Sequence, residues 1–212
     1  MDKLMMVNGS PRAPRSNTRR YLQLLEQCWP GETQTYSTTQ GRPEQALAEL
    51  AGCGHLVLAF PLYADSLPVP LMGFLKALEA QFSGEKPTVH VLINCGFLEP
   101  EQNRVALEIL DCFCRRNGYP RGATLCIGSG EAILDTPFAF LARRGIRKLA
   151  RAIQRGRPER IKTAMPLTKG MFLKASTRYW LGLGEKNGLT REDLSTMEIE
   201  GGGLPDGENG MS

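Results

Sequence analysis

Histidine is scarce in this chain: His55 and His90 are the only two in 212 residues. Both fall in or beside apolar runs that read as strands, so they are read as structural groups. The six cysteines, Cys28, Cys53, Cys95, Cys112, Cys114 and Cys126, include no Cys-x-x-Cys pair. That spacing argues against a zinc site or a cubane cluster and leaves free thiols whose expected work is core packing. No apolar run approaches the roughly 18 residues of a bilayer span, and the stretch from Met1 to Val7 is too short for a secretory leader. The expectation is a cytoplasmic protein with no membrane partner. Nucleophilic phosphate chemistry is excluded as well. The loop after the first strand has no cysteine for a Cys-x5-Arg site, and Gly-x4-Gly-Lys-Ser/Thr is absent. Gly128-Ser129-Gly130-Glu131-Ala132-Ile133 lacks the third glycine of a dinucleotide fingerprint and follows the last expected strand, which is the wrong one.

What is present is enough apolar material, 42% of residues, to bury a core without staples. The charge is uneven. The stretch 143–191 holds fourteen Lys and Arg against Glu159 and Glu185, whereas 192–208 is purely acidic. Arg155-Gly156-Arg157-Pro158 has the look of a minor-groove hook. It fits a helix stop better, since Gly156 follows a helical pattern and Pro158 comes two residues later. No nucleic-acid partner is expected.

The most informative segment is Val7-Asn8-Gly9-Ser10-Pro11-Arg12-Ala13-Pro14-Arg15-Ser16-Asn17-Thr18. An apolar strand runs into a Gly/Pro turn and then into hydroxyl, amide and guanidinium groups where a helix must begin. Free N–H groups and the positive end of the helix dipole stabilise an anion there. Ser10, Ser16, Asn17 and Thr18 can add hydrogen bonds, and Arg12 or Arg15 can add charge. An ordinary N-cap at Ser16 or Asn17 would leave the same signature.

Strand and helix patterns alternate five times, pairing 3–7 with 18–29, 33–37 with 44–50, 55–60 with 69–82, 88–94 with 101–117, and 123–127 with 137–154. The strands are continuous apolar runs, as in a parallel sheet covered on both faces. Right-handed crossovers favour the order 2-1-3-4-5, which places ligands beyond the carboxyl ends of strands 1, 3 and 4. Three loops therefore matter. The first is the anion loop. The second holds Pro61, Leu62, Tyr63, Ala64 and Asp65, an apolar loop suited to a flat apolar ligand. The third holds Asn94, Cys95, Gly96 and Phe97, pairing a glycine with an aromatic ring. Together they suit a phosphorylated planar heterocycle.

At this point the residues resemble the flavodoxin-like NAD(P)H-dependent FMN reductases and oxidoreductases. Gly9-Ser10-Pro11-Arg12 with Ser16-Asn17-Thr18 is similar to that family's phosphate loop. The segment from Ala59 to Pro68 is similar to its isoalloxazine loop, and Asn94-Cys95-Gly96-Phe97 to its third flavin-facing loop. The likeness spans roughly residues 3–155. The spacer Ala13-Pro14-Arg15 is longer and stiffer than usual, and the four-cysteine group of cluster-bearing relatives is missing. The resemblance implies a flavodoxin-like three-layer α/β fold with a five-stranded parallel sheet over 1–160, a helical extension over 161–200 and a loose tail over 201–212.

It further implies FMN as cofactor, held by Ser10, Arg12, Ser16, Asn17, Thr18, Pro61, Leu62, Tyr63, Ala64, Asp65, Asn94, Cys95, Gly96 and Phe97. NAD(P)H would be the electron donor and a small oxidised molecule the acceptor. The flavin carries the chemistry, so no catalytic side chain and no metal is required. A flavodoxin-type electron carrier and a flavin-free scaffold are the alternatives; carriers are usually acidic, whereas this chain has a net charge of +4. A helix over 165–183 is expected to present Met171, Phe172, Ala175, Tyr179 and Trp180 on an apolar side. That surface, with the prolines of 61–70, leads to the expectation of a homodimer whose interface borders the flavin.

Overall fold

The computed structural model describes residues 3–195. Six parallel strands form one sheet: β1 (Lys3–Asn8), β2 (Thr33–Ser37), β3 (Cys53–Pro61), β4 (Thr88–Asn94), β5 (Arg121–Ile127) and β6 (Arg160–Thr163). Their order is β2-β1-β3-β4-β5-β6. Five helices, α1 (Asn17–Glu26), α2 (Pro43–Leu50), α3 (Val69–Gln81), α4 (Arg104–Asn117) and α5 (Ala139–Gln154), connect successive strands. The expected order of the first five strands is found, and the sheet is extended by one strand at the β5 edge.

The sixth strand corrects the expectation of five. It is four residues long, follows Pro158, and buries only Ile161 between exposed Arg160 and Lys162. That is the composition of a charged edge strand, and it carries almost no apolar signal. Register ties it to β5 through Leu125↔Ile161 and Ile127↔Thr163. The helix stop before it forms as expected. Gly156 takes φ of +61°, and the N–H groups of Gly156 and Arg157 bond the carbonyls of Ile153 and Ala152. This is the paired closure in which glycine relieves the left-handed turn.

β1, β3 and β4 supply the centre of the core. Leu4 to Val7, Leu56 to Phe60 and Val89 to Ile93 are buried on both faces, which is why they read as unbroken apolar runs. α3 and α4 turn Leu71, Phe74, Leu75, Leu78, Leu107 and Leu110 onto the β3 and β4 side. All six cysteines are free; Cys53, Cys95, Cys114 and Cys126 are buried and Cys112 is exposed.

The chain divides into two compact units between Pro166 and Leu167, so the expected boundary at 160/161 falls at the start of β6. The second unit contains α6 (Lys169–Lys186), capped by the Thr168 hydroxyl, which accepts from the Met171 N–H at 3.3 Å. The helix starts four residues later than expected because Pro166 and the Thr168 cap set its beginning. Met171, Leu173, Tyr179, Trp180 and Leu183 are exposed on it. No helix among the described residues is long and apolar enough to cross a membrane. The expected loose tail at 201–212 lies outside the described residues.

Candidate functional site

At the carboxyl end of β1, the buried Asn8 closes a turn by accepting the Ser10 N–H on Oδ1 at 3.1 Å. The Gly9 N–H bonds the Ala59 carbonyl at 2.7 Å, fastening the loop to β3. A Cβ at Gly9 would lie 3.1 Å from the Leu71 side chain, so any other residue here would need Leu71 to give way. Ser10 is buried, and its hydroxyl accepts the Arg12 N–H at 3.3 Å. Ser16 caps α1 by accepting the Arg19 N–H at 3.2 Å. The N–H groups of Asn17 and Thr18, in the first turn, have no intrahelical acceptor by helix geometry. They and the dipole make this end of α1 an anion-binding position.

Two side chains expected to grip a phosphate are already engaged with protein. Asn17 donates from Nδ2 to the Glu131 carbonyl at 2.7 Å and accepts from Arg20 at 2.9 Å. Thr18 is buried and donates to Asn94 Oδ1 at 3.2 Å. Both partners lie more than seventy residues away, Asn94 at the end of β4 and Glu131 in the loop after β5, so these bonds tie α1 to the ends of both strands. Asn17 and Thr18 therefore set the positions of those strand ends, and the backbone of α1 is left to meet an anion. Arg12 lies 3.5 Å from Glu131 with two-thirds of its side chain in solvent, so the guanidinium is free to swing. Arg20 is held by Asp135 through two contacts of 2.9 and 2.6 Å, which keeps that carboxyl below its ordinary range.

After β3, Pro61 and Leu62 are buried, and the Leu62 N–H bonds the Asn94 carbonyl at 2.8 Å. Both side chains pack into the protein. Tyr63, Ala64 and Asp65 are exposed instead. Tyr63 and Ser66 pair across a two-residue turn in which Ala64 and Asp65 have φ of +46° and +56°. Two consecutive left-handed residues without a glycine are strained, and such strain concentrates at functional sites. At the start of this turn Tyr63 stands in solvent, 43% exposed.

After β4, Cys95 is buried with its thiol facing inwards onto the Phe97 and Glu99 carbonyls and Asn103. Burial pushes the thiol up to about 11, so it acts as a packing group that shapes the loop. Gly96 and Phe97 face outwards. A Cβ at Gly96 would meet nothing within 4 Å, and the Phe97 ring is 52% exposed.

A fourth loop, after β5, packs against the Phe97 loop. Ser129, after β5, has φ of +55°, and its N–H bonds the Phe97 carbonyl. The buried Tyr21 hydroxyl donates to the Gly130 carbonyl at 2.8 Å. A Cβ at Gly130 would lie 2.7 Å from Asn94, and one at Gly128 would overlap the Leu98 carbonyl. Paired glycines around a serine mark close backbone packing, here of the β5 loop against the end of β4 and the Phe97 loop. The Ser129 hydroxyl is buried without a hydrogen-bond partner.

The edge formed by these loops combines an anion-binding helix start with two exposed rings, and its backbone is fixed by cross-loop hydrogen bonds. No protein-family model and no curated protein matches the sequence. Solved structures do match. An azoreductase from Bacillus anthracis aligns with 73% of this chain and all of its own, at 13% identity and a TM-score of 0.53. The flavodoxin of Streptococcus pneumoniae TIGR4 aligns with 72% of this chain and 98% of its own, at 12% identity and a TM-score of 0.54. An NAD(P)H:quinone oxidoreductase from Methanothermobacter marburgensis aligns with 71% and 94%, at 13% identity and a TM-score of 0.54. Likeness at these identities is a likeness of fold, and together with the strand order it establishes that this chain has the flavodoxin-like fold.

Proposed function

We propose that this protein is an FMN-dependent oxidoreductase passing electrons from NAD(P)H to a small oxidised acceptor. The observation that carries the reading is the placement of the α1 start, Tyr63 and Phe97 on one sheet edge, at the switch between β1 and β3 where such sheets hold ligands. The residues present fit FMN. The N–H groups at the start of α1, with Ser10 and Arg12, would meet the phosphate. The backbone of Ala64, Asp65 and Gly96 would meet the polar edge of the ring, and Tyr63 and Phe97 would border its open face. The open space at Gly96 leaves room for close approach. Bound FMN supplies two-electron redox chemistry, and the chain's residues position it and limit access. Ser16, Asn17, Thr18, Asn94 and Cys95 support the loops from within.

The names of several structural neighbours point the same way, among them an azoreductase, a quinone oxidoreductase and an NADH:FMN oxidoreductase. The acceptor class that suits an open ring face includes quinones, nitro compounds, azo dyes and free flavin. A flavodoxin-type carrier is the second reading, supported by the flavodoxin neighbour and opposed by the basic balance of this chain. Anaerobic titration of the FMN-loaded protein separates them. Bleaching by NAD(P)H and recolouring by a quinone supports the reductase. A flavin that resists pyridine nucleotides and accumulates a blue radical under dithionite supports the carrier. We also propose a cytoplasmic homodimer, for which the exposed Met171, Leu173, Tyr179, Trp180 and Leu183 on α6 are the supporting surface. Light scattering showing a monomer at micromolar concentration would remove the dimer.

A further inference from the structure

A second cleft lies between α5 and the edge strand β6. Lys148, Arg151 and Arg155 recur on one side of the last turns of α5. Arg160 and Lys162, two apart on β6, project to one side of that strand. These five cations and Glu159 line a cleft of about 390 Å³ that also includes the buried Ala152 and Ile161.

Few acids neutralise it. Lys162 is paired with Glu101 at 2.8 Å, and Glu159 lies 4.0 Å from Arg157. Among the described residues, Lys148, Arg151, Arg155 and Arg160 form no ion pair. The helix dipole accounts for basic residues only within the last turn of α5, so it explains Arg151 and Arg155. It does not explain Lys148, one turn earlier, or the two cations on β6. Like charges gathered in a concave site repel one another, and the repulsion is relieved when an anion enters.

We propose that the α5/β6 cleft is an anion site separate from the flavin edge, taking a small ligand that carries two or more adjacent phosphoryl groups. Its volume lies at the small end of the range for ligand pockets. Guanidinium groups on two elements provide planar forks for more than one phosphoryl group, and a single phosphate would leave several cations unmatched. Concavity favours a small molecule over a duplex backbone or a lipid surface. The inference does not depend on flavin binding.

The test is calorimetric titration of the full chain with sodium tripolyphosphate at fixed ionic strength, with sulfate as the comparison. With the start of α1 occupied by saturating FMN, one saturable site is expected, at least tenfold tighter for tripolyphosphate than for sulfate; if no FMN binds, the cleft variants alone separate this site from any at α1. Arg151→Gln with Arg155→Gln should weaken it at least tenfold, and so should Arg160→Gln alone. Arg143→Gln with Arg144→Gln removes the same charge from α5 outside the cleft and should change affinity less than threefold. Circular dichroism checks that each variant keeps its helices, and the Arg160 variant tests the site from the strand if the helix variant fails to fold. The proposal is overturned by equal affinity for sulfate, by equal weakening in the control pair, or by unchanged binding in both cleft variants. Binding of phosphatidylglycerol vesicles without affinity for tripolyphosphate would also overturn it, making the face a lipid contact.

Discussion

The two ends of the sheet are built differently. At the carboxyl end, Ala64, Asp65 and Ser129 have positive φ, Tyr63 and Phe97 stand in solvent, and hydrogen bonds tie α1 to the strand ends. Towards the amino end, His90 is buried, with Nε2 3.2 Å from His55 Nδ1 and Nδ1 accepting the Ala123 N–H at 2.9 Å. His55 in turn meets the edge of Trp29 at 5.8 Å between centroids. One end spends conformational freedom on a precise, partly strained edge, whereas the other, along β3 and β4, is filled by these rings. A fold of this kind separates binding from stability, so substitutions at the two ends should have separable effects.

The largest expected effect is at the filled end. A Cβ at Gly122 would overlap the His90 ring and lie 2.9 Å from Thr88. Gly122→Ala should therefore cost about 3 kcal/mol or more by overpacking, with loss of the Ala123 bond. Urea unfolding measures this, and the flavin affinity of the folded fraction should be unchanged. A loss of affinity without a loss of stability would break the separation.

Acid should act at the same end. Burial, then the charges of His55 and Arg121, lower the His90 pKa from 6.5 to about 3. A neutral folded histidine with a lowered pKa leaves stability intact above about 6.5. Below that pH the unfolded chain takes the proton first, so stability falls by about 1.4 kcal/mol per pH unit until the folded pKa is reached. Unfolding measured from pH 7 to 4.5 should show this slope, and His90→Asn should flatten it. An equal slope in both proteins would assign the loss to other groups.

This histidine pair also shows what was legible in the sequence. His55 and His90 read as structural because they sit among strand residues, and the five alternations that fix the sheet order were visible as apolar runs. β6 was not, because an edge strand with one buried residue has no such run. The three ligand loops were legible as loops. The roles of Asn17 and Thr18 within them were not, since their partners Glu131 and Asn94 come from elements distant in sequence. Leu62 and Cys95 were equally hard to place, because whether a loop side chain turns in or out depends on the neighbouring loop.

At the open end, Thr18→Ala strands the buried Asn94 Oδ1, which should cost about 1–3 kcal/mol of stability and weaken FMN through the loosened loop. Titration by flavin fluorescence checks it; a fall in stability alone, with affinity kept, would move Thr18 to the structural side of the comparison. The smallest effect is expected at Ala64, where φ is +46°. Ala64→Gly relieves the left-handed strain at some entropic cost and should raise stability by about 0.5 kcal/mol. Thermal unfolding reads the gain, and a loss would show that the turn is not strained.

The central claim is that the carboxyl edge binds FMN through its phosphate. Titration of the purified chain with FMN, FAD and riboflavin tests it most directly. The account predicts a yellow protein, or one that reconstitutes, with FMN bound at least tenfold more tightly than riboflavin and in preference to FAD. Equal affinity for riboflavin would remove the phosphate role of the α1 start, and binding of none of the three would leave a flavodoxin-like scaffold without its cofactor.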